Sequence, residues 1–171
     1  MSSPKLDYPT FIEKLNALDT DQDHALTKNQ FLTLLAEMDL SNDDNYGEII
    51  FNGISGNGRT AYFTDIKTFY DCSFYDLNNK TMATVLFKGI DSDRDNYINN
   101  EQFQTLADYI NLNKTQEERE ALFQSIQNDN HLANFKDVSY TLFGVNFPKD
   151  FNPQTARITS YSPHSACCLL L

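Results

Sequence analysis

The densest oxygen chemistry in this chain lies in two short runs, Asp19-Thr20-Asp21-Gln22-Asp23 and Asp91-Ser92-Asp93-Arg94-Asp95. They stand 72 positions apart (91 less 19). Three carboxylates at alternate positions of a tight loop can converge on one hard cation. An all-oxygen donor set suits Ca²⁺ above all, and six single oxygens with water would also suit the octahedral shell of Mg²⁺. Other chemistry is sparse. His24, His131 and His164 are scattered, without the Cys or acidic spacing of a zinc site. No nucleophile motif or pair of catalytic carboxylates is present, so no enzymatic activity is expected. Gly53, Gly56 and Gly58 lack the following Lys of a phosphate loop and read as turn glycines.

The elements that must position these acids repeat with them. Each run follows an apolar, helix-like stretch ending in Leu18 or Ile90. Each continues to an aliphatic (Leu26, Ile98) and then to Gln30-Phe31 or Gln102-Phe103, which opens another apolar stretch. The same offset carries Phe51 and Ile54 to Phe123 and Ile126. It also carries Ala61, Phe63, Asp65 and Ile66 to Ala133, Phe135, Asp137 and Val138. A repeat on this scale sets the architecture before any local reading.

The acidic runs and their flanks resemble the EF-hand motif, a helix–loop–helix whose 12-residue loop binds Ca²⁺. On that resemblance the fold is expected to be all-α, with four helix–loop–helix units paired into two lobes and short β-bridges between paired loops. The expected lobes are residues 1–74 and 75–145. The first has an acidic loop at 19–30 and a degenerate loop at 54–65; the second has them at 91–102 and 126–137. Ile54 and Ile126 fall at the first position of the degenerate loops and cannot ligate a metal. The family's ligands come from loop positions 1, 3, 5, 7 through its carbonyl, 9 and 12. Carried over, they are Asp19, Asp21, Asp23, the Ala25 carbonyl, Thr27 and Gln30, then Asp91, Asp93, Asp95, the Tyr97 carbonyl, Asn99 and Gln102. Two departures weaken both sites. Gln at position 12 replaces a bidentate Glu and removes a charge. Position 6, usually Gly for a left-handed turn, is His24 or Asn96. Affinity is expected near ~10⁻⁵ M or weaker. The alternative is that both loops are relics that merely pair Leu26 with Ala61 and Ile98 with Ala133.

Local signals agree with helices. Phe11, Leu15 and Leu18 share a face after Pro9, and Phe31, Leu34, Leu35 and Met38 continue that pattern. Thr115-Gln116-Glu117-Glu118 is a capping box ahead of Phe123. Ser41–Asn45 and Asn111–Lys114 read as polar connectors, and Asp76–Lys80 as a hinge short enough for the lobes to touch. Thirteen Phe and nine Tyr without Trp supply the large apolar groups. A net charge of −11 argues against nucleic acid, because nothing offsets phosphate repulsion.

After Gly144 the chain becomes polar and proline-broken, so residues 146–171 are expected to form a flexible tail. It ends in Cys167-Cys168-Leu169-Leu170-Leu171, where Cys168 opens a C-a-a-X box whose terminal Leu favours geranylgeranyl. One prenyl chain binds membrane only marginally, which makes Cys167 a palmitoylation candidate. The bland alternative is an apolar tail folding back into a groove. No signal peptide, spanning segment or myristoylation Gly is seen. Three cysteines make no disulfide framework, and Cys72 reads as a free core residue.

These features predict a weak Ca²⁺ sensor on the cytosolic face of a membrane. The resemblance implies a target in the form of an amphipathic helix, held in a groove lined by Phe rather than Met. The runner-up is a Ca²⁺-independent adaptor resembling myosin light chains. A Ca²⁺ buffer ranks third.

Overall fold

A computed structural model of the chain describes residues 6–40, 44–56, 58–75, 79–156 and 158. Cys167 and Cys168, residues 41–43 of the first connector and residues 76–78 of the expected hinge lie outside them. Among the described residues the chain is mostly helical, with two small antiparallel sheets.

The first helix, α1 (Tyr8–Leu18), begins where Asp7 caps it. The Asp7 carboxylate accepts the Thr10 N–H at 2.8 Å, and Pro9 sits in the first turn, where its missing N–H costs nothing. Strand β1 (Ala25–Thr27) leads into α2 (Lys28–Glu37). Next come α3 (Asp44–Ser55), β2 (Thr60–Tyr62) and α4 (Phe63–Tyr75). The second half repeats the order with α5 (Asn79–Ile90), β3 (Tyr97–Ile98), α6 (Asn100–Tyr109), α7 (Gln116–Ile126), β4 (Ala133–Asn134) and α8 (Phe135–Phe143). Asp44 and Asn45, read as connector, already belong to α3; Asn79 and Lys80, read as hinge, open α5. The Thr115 capping box is present, with the Thr115 N–H donating to Glu118 at 2.8 Å.

Each half closes around one short antiparallel pair. Leu26 lies opposite Ala61 in β1–β2, and Ile98 opposite Ala133 in β3–β4. These are the partners that the resemblance implies. All four side chains are fully buried, so each pair joins two loops and roofs the apolar interior.

One apolar core runs through both halves, from Phe11, Leu15 and Phe31 to Phe103, Phe123 and Val138. The most extensive helix contact is α3 on α5, which joins the first half to the second. From Ala83 to Ile90 every residue of α5 is buried, so this helix is enclosed around its circumference. Two glycines allow that closeness. A Cβ at Gly53 would lie 2.0 Å from the Val85 carbonyl oxygen, and one at Gly89 would lie 1.9 Å from the Ile49 carbonyl oxygen. The turn reading of Gly53 is therefore corrected: it sits inside α3 as a contact surface. Gly56 and Gly58 do lie in the turn after α3.

The described part of the segment after Gly144 lies against the rest of the chain. Phe147, Phe151 and Ile158 pack against the core, and Pro153 is buried. The Phe147 and Phe151 ring centroids lie 4.6 and 5.6 Å from that of Phe135. Contact with Phe135 holds this part of the segment.

Candidate metal centre

The acidic runs occupy the loops between α1 and β1 and between α5 and β3. In each loop the three Asp offer carboxylate oxygens within 4.8 Å of one another, close enough to hold a metal ion. The first Asp is buried and the other two are exposed.

Backbone geometry explains the convergence. Gln22 and His24 take φ of 59° and 60°, and Arg94 and Asn96 take 61° and 67°. These two left-handed residues wrap the chain around the first Asp and turn backbone N–H groups onto it. The Asp19 carboxylate accepts from Asp23 N at 3.2 Å and His24 N at 3.1 Å. The Asp91 carboxylate accepts from Arg94 N and Asn96 N, both at 3.0 Å. The fifth residue turns back on itself: Asp23 accepts Ala25 N at 2.9 Å, and Asp95 accepts Tyr97 N at 2.7 Å. The left-handed position of His24 and Asn96 was legible; the equally left-handed Gln22 and Arg94 were not.

Thr27, Gln30, Asn99 and Gln102, expected as metal ligands, also cap the helices that leave the loops. Thr27 and Asn99 are the N-caps of α2 and α6, and each Gln is the third helical residue of a capping box. Gln30 Oε1 accepts the Thr27 N–H at 2.8 Å and the Thr27 hydroxyl at 2.7 Å, while its Nε2 donates to the Leu18 carbonyl at 2.6 Å. Gln102 repeats this with Asn99 N at 2.9 Å and the Ile90 carbonyl at 2.7 Å. One amide thus brackets the loop, tying the helix that leaves it to the end of the helix that enters it. A carboxylate could accept from the cap but could not donate to the carbonyl. Ala25 and Tyr97, expected to offer carbonyls, are the first residues of β1 and β3.

The degenerate loops are closed by their own turns. Ile54 and Ile126 lie within α3 and α7, both packed on the core. Gly58 N donates to the Ser55 carbonyl at 3.0 Å, and Asn128 Oδ1 accepts from Asn130 N at 2.9 Å and Leu132 N at 3.1 Å.

The two acidic loops differ in their surroundings. Asp91 is fully enclosed, and its Oδ2 also accepts from Gln154 Nε2 at 2.7 Å, across 63 residues of chain. Burial pushes the Asp91 carboxyl up to about 6. The facing carboxyl of Asp93 and the charge of Asp95 add to that rise, while the Asn96 N–H and the Gln154 amide oppose it. Burial, which penalises the charged form, is the main cause, and the neighbouring acids add to it. Arg94 reaches across to the Gly56 carbonyl in the first half, so this loop is also tied to the turn after α3.

The donor set is therefore hard and anionic, and the residues at positions 9 and 12 also cap the following helix. Each triplet could hold a metal ion. A scan against protein-family models found no match, and a search of the curated proteins found none either.

Proposed function

We propose that the chain is an EF-hand-type regulatory protein, with two paired helix–loop–helix lobes that bind Ca²⁺ weakly through Asp19, Asp21, Asp23 and Asp91, Asp93, Asp95. One observation carries this reading. The same carboxylate triplet, wrapped by left-handed residues at loop positions 4 and 6, recurs in both halves. Coincidental surface acids have no reason to repeat a backbone fold of that kind. A bound cation would supply the positive charge each triplet lacks. The chain's own residues keep the loop preformed, through the N–H groups on Asp19 and Asp91 and the amide brackets of Gln30 and Gln102.

The test is a calorimetric Ca²⁺ titration with Mg²⁺ present, run on the wild type and on Gln102→Glu. The wild type should bind weakly. Gln102→Glu returns a charge and a second oxygen but gives up the donor to the Ile90 carbonyl. The added charge dominates, and affinity in the second loop should rise at least tenfold, about 1.4 kcal/mol. No gain would mean that the bracket, not the missing oxygen, controls the loop.

A second reading has a specific observation in its favour. The Gln30 and Gln102 amides tie the two ends of each acidic loop together, and α5 is enclosed by α3 and its neighbours. A light-chain-like adaptor that holds a target helix regardless of Ca²⁺ would be built this way. Absence of Ca²⁺ heat in both proteins would favour it.

Membrane attachment through Cys168 belongs to the same proposal, resting on the C-a-a-X pattern. Among the described residues no helix is long and apolar enough to cross a membrane. A prenyl chain contributes ~0.8 kcal/mol per inserted CH₂. Cys168→Ser should move the protein from the membrane fraction to the soluble one, and Cys167→Ser should only weaken retention. Mass spectrometry of the protein from its native cell checks this directly. A C-terminus ending in unmodified Leu171 would exclude the anchor.

A further inference from the structure

The two acidic loops repeat in sequence, but among the described residues only the second is covered by a distant segment. After the C-cap at Gly144 the chain turns back over α8 and reaches the α5–β3 loop. Phe147 and Phe151 form an aromatic cluster with Phe135, and Phe87 meets Phe135 at 5.0 Å. Lys136 donates to the Lys149 carbonyl, and Lys80 sits 5.7 Å above the Phe147 ring. The next turn is built on Asn152. Its side chain accepts the Gln154 N–H at 2.9 Å, its carbonyl accepts the Ala156 N–H at 3.1 Å, and Pro153 is buried beside them. That turn delivers Gln154 Nε2 to Asp91 Oδ2. Phe151, Asn152 and Pro153 share one cavity wall with Asp95, Asn96 and Tyr97.

We infer that residues 147–156 form a strap that completes the second acidic site, with Gln154 as a positioning residue that holds the Asp91 carboxylate, so that strap docking and cation binding in this loop reinforce each other. The inference rests on the proposed reading of the loop as a cation site. Its physical basis is solvation. Docking the strap strips water from Asp91, and the single Gln154 donor replaces only part of that water's stabilisation. With a cation on the triplet, the carboxylate has already exchanged water for a counter-charge, and the same docking costs less. A coupling of this kind is reciprocal, so a docked strap must raise cation affinity by the factor by which the cation favours docking. The contact also fixes which Asp91 oxygen faces the strap, leaving Oδ1 toward the loop. No described residue beyond the loop's own helices and turn plays this part for Asp19.

The experiment uses the full chain. Gln154→Met keeps the length of this half-exposed side chain and removes its amide, including the donor to Asp91; Phe147→Ala with Phe151→Ala loosens the strap by another route. Ca²⁺ affinity would be measured by calorimetry in an Asp19→Ala, Asp21→Ala background, which isolates the second loop. Amide exchange over 147–156 would be followed with Ca²⁺ and with excess chelator. Gln154→Met should weaken the second loop about tenfold, the scale of one hydrogen bond to a charged group. It should also speed exchange in the strap even in chelator, and Ca²⁺ should slow that exchange in the wild type. The double Phe variant should show the same loss of affinity. Unchanged affinity in both variants, or strap exchange indifferent to Ca²⁺, would overturn the inference while leaving the cation site standing. Absence of any Ca²⁺ binding in the background protein before Gln154 is touched would overturn both.

Discussion

Replacing Asp91 and Asp93 together by Ala should abolish Ca²⁺ binding in the second loop and leave the first loop's binding intact. Stoichiometry by calorimetry should fall from two to one. The two residues contribute differently, and single variants separate their parts. Asp93 is exposed, and its carboxyl faces Asp91, where it raises the Asp91 pKa. Asp93→Ala therefore removes a ligand and a repulsion at once. Affinity should fall on the order of a hundredfold, because ligand charge count is the main control on such sites. Stability in chelator should hold or rise slightly. Asp91 also accepts the Arg94 and Asn96 N–H groups, so Asp91→Ala leaves loop donors without their acceptor and should lower stability as well. A double variant that still binds two ions would remove the metal assignment altogether.

What the sequence revealed and what it hid follow from how far each contact reaches along the chain. The Leu26–Ala61 and Ile98–Ala133 pairs were legible, because the EF-hand resemblance places all four residues at the loop position that pairs across the lobe. The left-handed turn at His24 and Asn96 was legible from loop position. Gln22 and Arg94 take the same conformation with side chains that give no hint of it. Thr27-Lys28-Asn29-Gln30 and Asn99-Asn100-Glu101-Gln102 do carry a capping-box pattern. The EF-hand resemblance places the same residues at loop positions 9 and 12, so the pattern has two readings. The strap was hidden for another reason. Phe147 and Phe151 sit among Pro148, Lys149 and Asp150, so no local period marks them, and their burial depends on Phe135. The Gln154–Asp91 contact spans 63 residues and leaves no local trace.

Gly89→Ala should cost about 3 kcal/mol of folding stability, at the upper end of what overpacking a core usually does. Helix propensity alone predicts the opposite, since Ala is favoured over Gly in a helix interior by roughly 1 kcal/mol. The steric argument decides the sign. A Cβ at residue 89 would meet the Ile49 carbonyl oxygen at 1.9 Å, and backbone cannot rotate out of the way as a side chain can. The two helices must separate instead. That loosens contacts along a line holding Ile49, Ile50, Val85 and Leu86, all in the continuous core. Gly53→Ala should behave alike, through the Val85 carbonyl at 2.0 Å. Gly144→Ala is the control: nothing lies within 4 Å of its Cβ, so only the left-handed φ of 67° is strained, at about 1 kcal/mol. Urea unfolding with an unchanged slope would read all three. Against a total of roughly 5–15 kcal/mol, the α3–α5 substitutions are severe. A neutral or stabilised Gly89→Ala would mean that the halves are not joined through this crossing. If the cost is as large as the geometry demands, the effect should reach the second acidic loop. Asp91 follows directly from α5, and Arg94 is held by the Gly56 carbonyl at the end of α3. Prying those helices apart should therefore weaken cation binding in the second loop more than in the first.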